Sequence, residues 1–397
     1  QTFIQKGPNR KLLNAEKTKA LASFIRGAQR IGGFGGKSDL LATCQTYTGN
    51  PGCYINNAKY IDESTSAKIK STFSEWIDNT PYVLTILPSD KLATNESTVD
   101  RSKGIPYPTE KISFKFPSLQ TAELSNGAKV VLAERKNIPL VEMNIQFDFG
   151  YAQEDADQIG YTNFMMDMLN EGTKKYSSLE FDEVLDSLGA NMGFGSDLDT
   201  SYVSISSLKS NLDETLDLAK EAIMFPTFPE TEIARIKNQT LAALKRAEFQ
   251  PGSIAFRNIG NLLYGEDHPY GKLRIGSGAT QAIKSINSKK LSNIHKLALN
   301  PNHVTFTVAG DITLDEIVSL LESKFGKWMS ESDTDIKNIP NVDLPEKRKV
   351  YLINKPNAEQ SYIVAGQLLP PSATSEEFKI DYMNYAIGGS FTSRLNM

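Results

Sequence analysis

The sequence predicts an α+β fold in which a mixed β-sheet carries helices packed on one face. Three segments are rich in β-forming residues and alternate between apolar and polar ones, as half-buried strands do: Ala128–Glu134, Leu140–Phe149 and Thr200–Leu208. Two longer segments, Asn211–Met224 and Glu230–Arg246, have apolar residues at helical spacing. The mixed order of strands and helices favours a layered α+β module.

Turn and helix-end signals separate these elements. Arg135–Pro139 predicts a hairpin-like turn between the first two strands. Helices are expected over Ile159–Asn170 and over Leu179–Leu188, and the second of them should stop at Gly189. Val304–Val308 is predicted to be the last buried strand.

Three pairs of similar segments indicate an internal repeat. In each pair the segments lie about 220 residues apart, which predicts tandem copies of one module. The pairs are Ile61–Ile69 with Ile283–Leu291, Tyr82–Asp90 with His303–Asp311, and Lys129–Leu132 with Lys349–Leu352.

Two polar stretches without periodicity divide the chain, and we interpret both as linkers. They cover residues 91–116 and 330–346. We therefore expect the C-terminal part of one module in residues 1–90, a complete module in 117–329 and the start of the next module in 347–397.

The composition excludes some classes of function. The 397 residues have a net charge of −4 and no basic block, so nucleic acid is not an expected partner. No apolar run approaches the roughly 20 residues of a membrane-spanning helix. Cys44 and Cys53 are close enough to pair in an oxidising compartment, but free, partly buried thiols are the favoured interpretation.

Gly160–Thr173 has the frame of a zinc-binding helix without its ligands. A helix of the H-x-x-E-H type needs histidines one turn apart, so that both imidazoles leave one face, and a glutamate that deprotonates the metal-bound water. The three positions hold Asn163, Met166 and Asp167. Asparagine is a poor zinc ligand, methionine cannot act as a base, and one aspartate cannot hold Zn²⁺ alone.

No other residues replace this motif. The histidines at 268, 295 and 303 lack zinc-ligand spacing, and we expect each to be structural or at the surface. Asp167, Glu171 and Glu248 do not form a convincing catalytic pair, because nothing in the sequence places them within reach of each other.

The frame resembles that of the insulinase/pitrilysin (M16) metallopeptidase family. Gly160, Met168, Gly172 and Thr173 match the residues that surround the inverted zinc motif in that family. Its members carry a third ligand, a glutamate on a later helix, and the resemblance places Ala243 at that position. All four zinc-site positions are therefore degenerate, and we predict no metal site in this chain.

Other segments extend the resemblance over nearly the whole chain outside the linkers. They are Phe34–Leu41, Tyr47–Pro51, Tyr264–Gly271 and Gly388–Leu395. The family builds a closed chamber from four homologous α+β modules, of which the first carries zinc. The two halves are fused in long members, whereas in others an active subunit pairs with an inactive one.

The resemblance implies a non-catalytic, chamber-forming and substrate-binding portion of a zinc metallopeptidase that hydrolyses peptides. The catalytic H-x-x-E-H and its zinc are expected upstream of Gln1, and this fragment alone should be inactive. The alternative is a catalytically dead peptide-binding or assembly subunit that partners an active protease. The expected partners are thus a peptide or unfolded protein, with the catalytic module in cis or an active M16 subunit in trans.

The resemblance also suggests a location and a mode of binding. Bacterial fused relatives favour the periplasm or cell envelope. Substrate in the family resembles a β-strand added to an exposed sheet edge, and Thr200–Leu208 is a candidate for that edge.

Overall fold

The computed structural model describes residues 6–77 except 33, 84–85, 116–272, 279–330, and 336–396 except 345, 346, 357, 359 and 373. Nearly all of the predicted linker 91–116 lies outside these residues, as do most of Tyr82–Asp90 and part of 330–346. No helix in the described part of the chain is long and apolar enough to span a membrane.

Six strands form a single mixed sheet in the order β1-β2-β6-β3-β5-β4. β6 runs parallel to β2 and antiparallel to β3, and every other pairing is antiparallel. The strands are β1 Gln120–Glu123, β2 Lys129–Glu134, β3 Leu140–Phe147, β4 Asn191–Ser196, β5 Ser201–Leu208 and β6 Val304–Gly310.

The predicted hairpin between β2 and β3 is wrong. β6 lies between these strands, so that Phe306 pairs with Val130 on one side and with Ile145 on the other. Phe306 and Val308 of β6 are fully buried or nearly so. A strand this apolar is most stable at the centre of the sheet, where both of its backbone edges are hydrogen-bonded.

The described residues contain thirteen α-helices. Four lie before the sheet: α1 Arg10–Gly27, α2 Lys37–Thr48, α3 Cys53–Asp62 and α4 Ser66–Trp76. Eight follow β3: α5 Tyr161–Asp167, α6 Ser178–Ser187, α7 Leu212–Met224, α8 Glu230–Ala247, α9 Pro251–Tyr264, α10 Thr280–Ser285, α11 Ser288–Ala298 and α12 Leu314–Phe325. The last is α13 Glu377–Asn384.

The two faces of the sheet have different characters. The alternate residues Met143, Ile145 and Phe147 of β3 are buried in the main core together with apolar residues of α5, α7 and α12. Asn144 and Ser204 point to the other face. Asn144 is half-buried, and Ser204 is exposed. This alternation confirms the predicted α+β class, with α5, α7 and α12 packed on the core face of the sheet.

Matching helix starts support the internal repeat. Thr65 caps α4 by accepting a hydrogen bond from the backbone N–H of Lys68. Asn287 caps α11 in the same way, through the N–H of Lys290. These caps lie about 220 residues apart, the offset that the sequence predicts for the repeat.

The first helix packs directly on the sheet-bearing part of the chain. Ala22 of α1 is fully buried against Leu140 and Leu208 at one end of the sheet. Gly189, which ends α6 as predicted, has a φ of +60°. A Cβ at this glycine would lie 3.0 Å from that of Ala22, so both the turn and the close approach of α1 favour glycine.

A half-buried arginine adds directional contacts to this interface. Arg26 donates from Nε to Oγ of Ser206 at 2.8 Å and from its guanidinium to the carbonyl oxygen of Ser206 at 3.0 Å. It also donates to the carbonyl oxygen of Gly189. Since such charge-assisted bonds have fixed geometry, Arg26 defines how α1 is oriented on the sheet.

The two cysteines form a disulfide, so the favoured interpretation of free thiols is wrong. α2 ends at Gly49, which has a φ of +69°, and the chain turns there before α3 begins at Cys53. This turn brings the Cα atoms of Cys44 and Cys53 to 5.4 Å, within bridging range. Spacing alone could not show that the turn would have this geometry.

We predict that the disulfide is present in the purified protein and stabilises the α1–α4 region. Closing so short a loop is expected to raise the free energy of unfolding by about 3 kcal/mol, mainly because it restricts the unfolded chain. Alkylation in denaturant should modify neither cysteine before reduction and both after it, as measured by intact mass. The double variant Cys44→Ser/Cys53→Ser should unfold this region at a lower temperature, and complete alkylation without reductant would contradict the assignment.

Candidate functional site

The helix with the degenerate zinc positions is held by a buried carboxylate at its N-terminus. Glu154 accepts hydrogen bonds from the backbone N–H groups of Gly160 at 2.7 Å and Thr162 at 2.6 Å. These donors belong to the first turn of α5, which has no intrahelical partners for them. Burial raises the pKa of Glu154 to about 7, although the two N–H groups act in the opposite direction.

The three positions on α5 lie in different environments. Met166, at the position of the catalytic base, is 0% exposed and belongs to the main core. Asn163 is half-buried and Asp167 is exposed. Desolvation of its carboxyl group, followed by repulsion from Glu171, nevertheless raises the pKa of Asp167 to about 6.

Glu171, the carboxylate that repels Asp167, is already paired. Glu171 accepts hydrogen bonds from the guanidinium of Arg235 on α8 and from Oγ of Ser178 at 2.7 Å. Arg235 also binds Glu232 at 2.7 Å. Glu171 is therefore engaged in an ion-pair network, which is the structural role expected when a carboxylate faces an arginine.

Zinc does not fit the residues at these positions. Ala243 is exposed on α8 and offers only a methyl group where the resemblance expects a glutamate. An amide, a buried thioether, one carboxylate and a methyl group do not supply the three or four nitrogen, sulfur or carboxylate ligands of a zinc site. Elsewhere among the described residues, no group of three or more His, Cys, Asp or Glu side chains is arranged to hold a metal ion.

Two of the histidines make structural contacts, as the sequence predicts. Nδ1 of His268 accepts a hydrogen bond from the backbone N–H of Tyr270 at 3.0 Å, and its Nε2 lies 2.9 Å from the carbonyl oxygen of Pro340. His295 is bonded to the carbonyl oxygen of Ile223 at 2.8 Å. His303 lies in a short 3₁₀ turn before β6.

The accessible edge of the sheet is β4, not the segment Thr200–Leu208. β5 pairs with β3 on one side and β4 on the other, so it lies inside the sheet. β4 pairs with β5 alone, and no other strand of the described residues lies on its outer side. The sequence did not reveal β4 because Gly193 and Gly195 weaken its β-strand signal.

A shallow hollow of about 510 Å³ opens beside β4 on the sheet face opposite α5, α7 and α12, and α1 packs on this same face at Leu140 and Leu208. Residues of four neighbouring strands form its floor in register, so that Gly193 of β4, Ser204 of β5, Asn144 of β3 and Thr307 of β6 lie in one row. All four are small or uncharged, and the hollow therefore has room for a side chain that comes from outside the sheet.

We predict that a glutamate cannot be restored at the position of the catalytic base without a large loss of stability. Met166→Glu would place an ionisable group in the core with no partner, and should lower the free energy of unfolding by about 3 kcal/mol or more. Denaturant unfolding would measure this change. Met166→Leu conserves volume and polarity and should cost less than about 1.5 kcal/mol; equal effects of the two substitutions would contradict the buried position.

We also predict that Asp167 makes the protein less stable as the pH rises from about 4 to about 6. Its carboxyl group binds a proton more tightly in the folded than in the unfolded state, so ionisation in this interval favours unfolding. Asp167→Asn should remove this contribution, which solvent screening limits to about 1 kcal/mol or less. Thermal unfolding across this pH range would measure it. The exposed Asp157→Asn serves as the control, and an unchanged profile for Asp167→Asn would contradict the prediction.

Two models of one peptidase family match the chain. The model described as "Insulinase (Peptidase family M16)" matches residues 129–272, and the model described as "Peptidase M16 inactive domain" matches residues 285–397. Together they account for well over half of the sequence.

The similar curated proteins include both peptidases and a protein described as lacking peptidase activity. The "non-peptidase homolog YmxG" of Helicobacter pylori is 23% identical over 70% of this chain and 65% of its own length. The "uncharacterized zinc protease YmxG" of Bacillus subtilis is 24% identical over 68% of this chain and 64% of its own. The chain thus spans slightly less than two thirds of these relatives.

Solved structures show the same fold. A peptidase M16 inactive domain from Pseudomonas fluorescens superposes with a TM-score of 0.53 and 27% identity, covering 57% of this chain and 54% of that one. The periplasmic protease PqqL from Escherichia coli gives a TM-score of 0.52 at 19% identity, covering 56% of this chain and 25% of that one, and supports the fold alone. By sequence and by fold, the chain belongs to the M16 peptidase family.

Proposed function

We propose that this chain is a non-catalytic, peptide-binding portion of an M16-type zinc metallopeptidase. The observation that carries the proposal is the contrast between two sites on one module. The zinc-site positions offer no ligand set and their central residue, Met166, is sealed into the core. The adjacent sheet edge, β4, has an unpaired side and no covering strand among the described residues.

β4 has the properties of an edge that receives a strand. Its six residues include no charge and no proline, the features that commonly protect an edge from pairing. The opposite edge, β1, has only four residues and ends in the exposed Glu123. β4 is therefore the better template for an extended peptide, which would add as a seventh strand through main-chain hydrogen bonds.

The sheet face opposite α5, α7 and α12, on which α1 packs at Leu140 and Leu208, suits a wall of a substrate chamber. Across β3, β5 and β6 it presents mainly hydroxyl and amide side chains, including Asn144, Ser204 and Thr307. Such a surface can hydrogen-bond to unfolded chain without requiring one sequence. Hydrolysis in this proposal comes from a zinc module elsewhere, either in cis or in an active M16 subunit in trans.

The module boundaries are part of the same proposal. Residues 117–329 constitute the complete degenerate module, residues 1–90 the end of the preceding one and residues 347–397 the start of the next. The matched caps at Thr65 and Asn287 support this division. The Cys44–Cys53 disulfide supports an oxidising compartment such as the periplasm.

We predict that zinc loading leaves the purified chain with close to no bound zinc. Elemental analysis after gel filtration would measure the zinc content, with an intact M16 peptidase treated in parallel as the positive control. The reason is the ligand set, since an amide, a thioether and one carboxylate bind Zn²⁺ poorly. One zinc ion per chain would contradict the non-catalytic assignment.

Strand addition can be tested with two N-methylated peptides. A strand that joins a sheet uses alternate N–H groups, because successive ones point to opposite edges. A fluorescent nine-residue peptide of threonine and alanine would be methylated at its odd amides in one version and at its even amides in the other. We expect one version to bind like the parent and the other to lose binding, as measured by fluorescence anisotropy.

Equal behaviour of the two versions would contradict edge addition. Loss of binding by both would mean that the peptide uses both of its edges, and retention by both would mean that main-chain bonds are not involved. A parent peptide that does not bind at all would overturn the proposed function itself.

A further inference from the structure

We propose that residues 336–340 form a docked strap that couples residues 347–397, the proposed next module, to the N-terminus of α5. The strap lies within the segment 330–346 that the sequence predicts to be a linker. This coupling goes beyond the proposed function and does not require a peptide to bind at β4. It bears on how the modules are held relative to each other, which a flexible linker would leave open.

One buried glutamine side chain binds the backbone of the strap. Gln153 is only 7% exposed, and its Oε1 accepts a hydrogen bond from the backbone N–H of Lys337 at 2.7 Å. Its Nε2 donates to the carbonyl oxygen of the same residue at 3.3 Å. This reciprocal pair resembles the exchange between two paired strands, so the glutamine takes the place of a strand partner. Since a buried amide group without partners costs free energy, loss of the strap would destabilise this part of the module.

The side chain of Lys337 fastens the strap a second time. Its ammonium group donates to the carbonyl oxygen of Gln153 at 2.7 Å and to Oδ1 of Asp155 at 2.8 Å. Both side chains of the ion pair are about half exposed, so the pair alone contributes little. Together with the bond to the main-chain carbonyl, however, it holds the lysine at the same turn as the glutamine.

Both ends of the strap are held as well. Ile336 is half-buried and packs against the main core. At the other end, Nε2 of His268 lies 2.9 Å from the carbonyl oxygen of Pro340. Because Nδ1 of this ring accepts a hydrogen bond from the backbone N–H of Tyr270, the proton of the neutral imidazole is on Nε2, which donates to Pro340. The docking therefore extends over the whole strap.

The residues that hold the strap are neighbours of the residue that holds α5. Glu154 lies between Gln153 and Asp155 in the chain, and its buried carboxylate accepts the N–H groups of Gly160 and Thr162. Three successive side chains thus bind the strap, α5 and the strap again. Because planar peptide bonds keep neighbouring Cα atoms about 3.8 Å apart, a displacement of either flanking residue is transmitted directly to Glu154.

A second lysine fixes the backbone of this three-residue segment. The ammonium group of Lys272 donates to the carbonyl oxygen of Ala152 at 3.3 Å and to that of Glu154. Lys272 follows His268 closely in the chain, so the same part of the chain receives the end of the strap and holds the segment beside it. The strap and the N-terminus of α5 therefore share partners, and groups that share partners have coupled stabilities.

Hydrogen exchange of the full chain, followed by mass spectrometry, tests the coupling. In the unmodified protein we expect the backbone amides of Lys337, Gly160 and Thr162 to be protected. Lys337→Met removes both ammonium contacts, so exchange should accelerate in the strap. If the coupling exists, exchange at Gly160 and Thr162 should accelerate with it, by about fivefold or more. The matched control Lys347→Met removes an exposed lysine beyond the strap and should leave these rates unchanged.

Asp155→Asn provides a second, milder variant. It weakens one of the two ammonium contacts and leaves the bond to the carbonyl oxygen of Gln153, so both regions should exchange faster, but less so than in Lys337→Met. Both substitutions replace exposed side chains, and circular dichroism would show that the variants are folded.

Three results would overturn the proposal. Exchange of the Lys337 amide in the unmodified protein at the rate of an unstructured peptide would mean that the strap is not docked. A strap that stays fully protected in both variants would mean that these contacts do not hold it. Faster exchange in the strap with unchanged rates at Gly160 and Thr162 would mean that it is not coupled to α5. None of these results depends on peptide binding, so the proposed function is tested separately.

Discussion

The sheet depends on β6, which arrives from far along the chain and is inserted between two strands that are close in sequence. Without β6, β2 and β3 would have no neighbour on their facing edges, and Phe306 and Val308 would have no core to enter. Every helix from α5 to α11 lies between β3 and β6 in sequence. The sheet is therefore complete only after the segment between β3 and β6 has folded back. Because the central strand β6 is distant in sequence from β2 and β3, the two ends of the module depend on each other for their stability.

This dependence explains how the zinc-helix frame can persist without zinc chemistry. α5 contributes Phe164, Met165 and Met166 to the core on which the sheet rests. Its N-terminus is satisfied by the side chain of Glu154 rather than by a ligand. Because capping by Glu154 and packing by Phe164 and Met165 do not involve Asn163 or Asp167, those two positions can change while the helix stays. The fold thus keeps this helix in place whichever residues occupy Asn163 and Asp167.

The sequence predicted the strands with strong alternation and the helices with clear apolar spacing, because one-dimensional patterns report which face of an element is buried. Gly189 was correctly taken as the end of α6. The patterns could not report pairing, so the position of β6 was missed and a hairpin was predicted in its place. They also missed β4, whose glycines weaken any strand signal, and the disulfide, which depends on the geometry of the turn after α2.

The sequence patterns missed β4 for a physical reason that also bears on function. Strand propensity measures how well side chains cover a half-buried surface. Gly193 and Gly195 of β4, which lie on the face opposite the core, have no side chains to provide this cover. An edge strand that packs poorly against its own sheet leaves backbone and neighbouring side chains accessible to something else. Asn191 and Tyr202 border the uncovered stretch, and the row through Ser204 continues it inward. The weakness that hides this strand from sequence patterns is the same property that makes it suited to receive another chain.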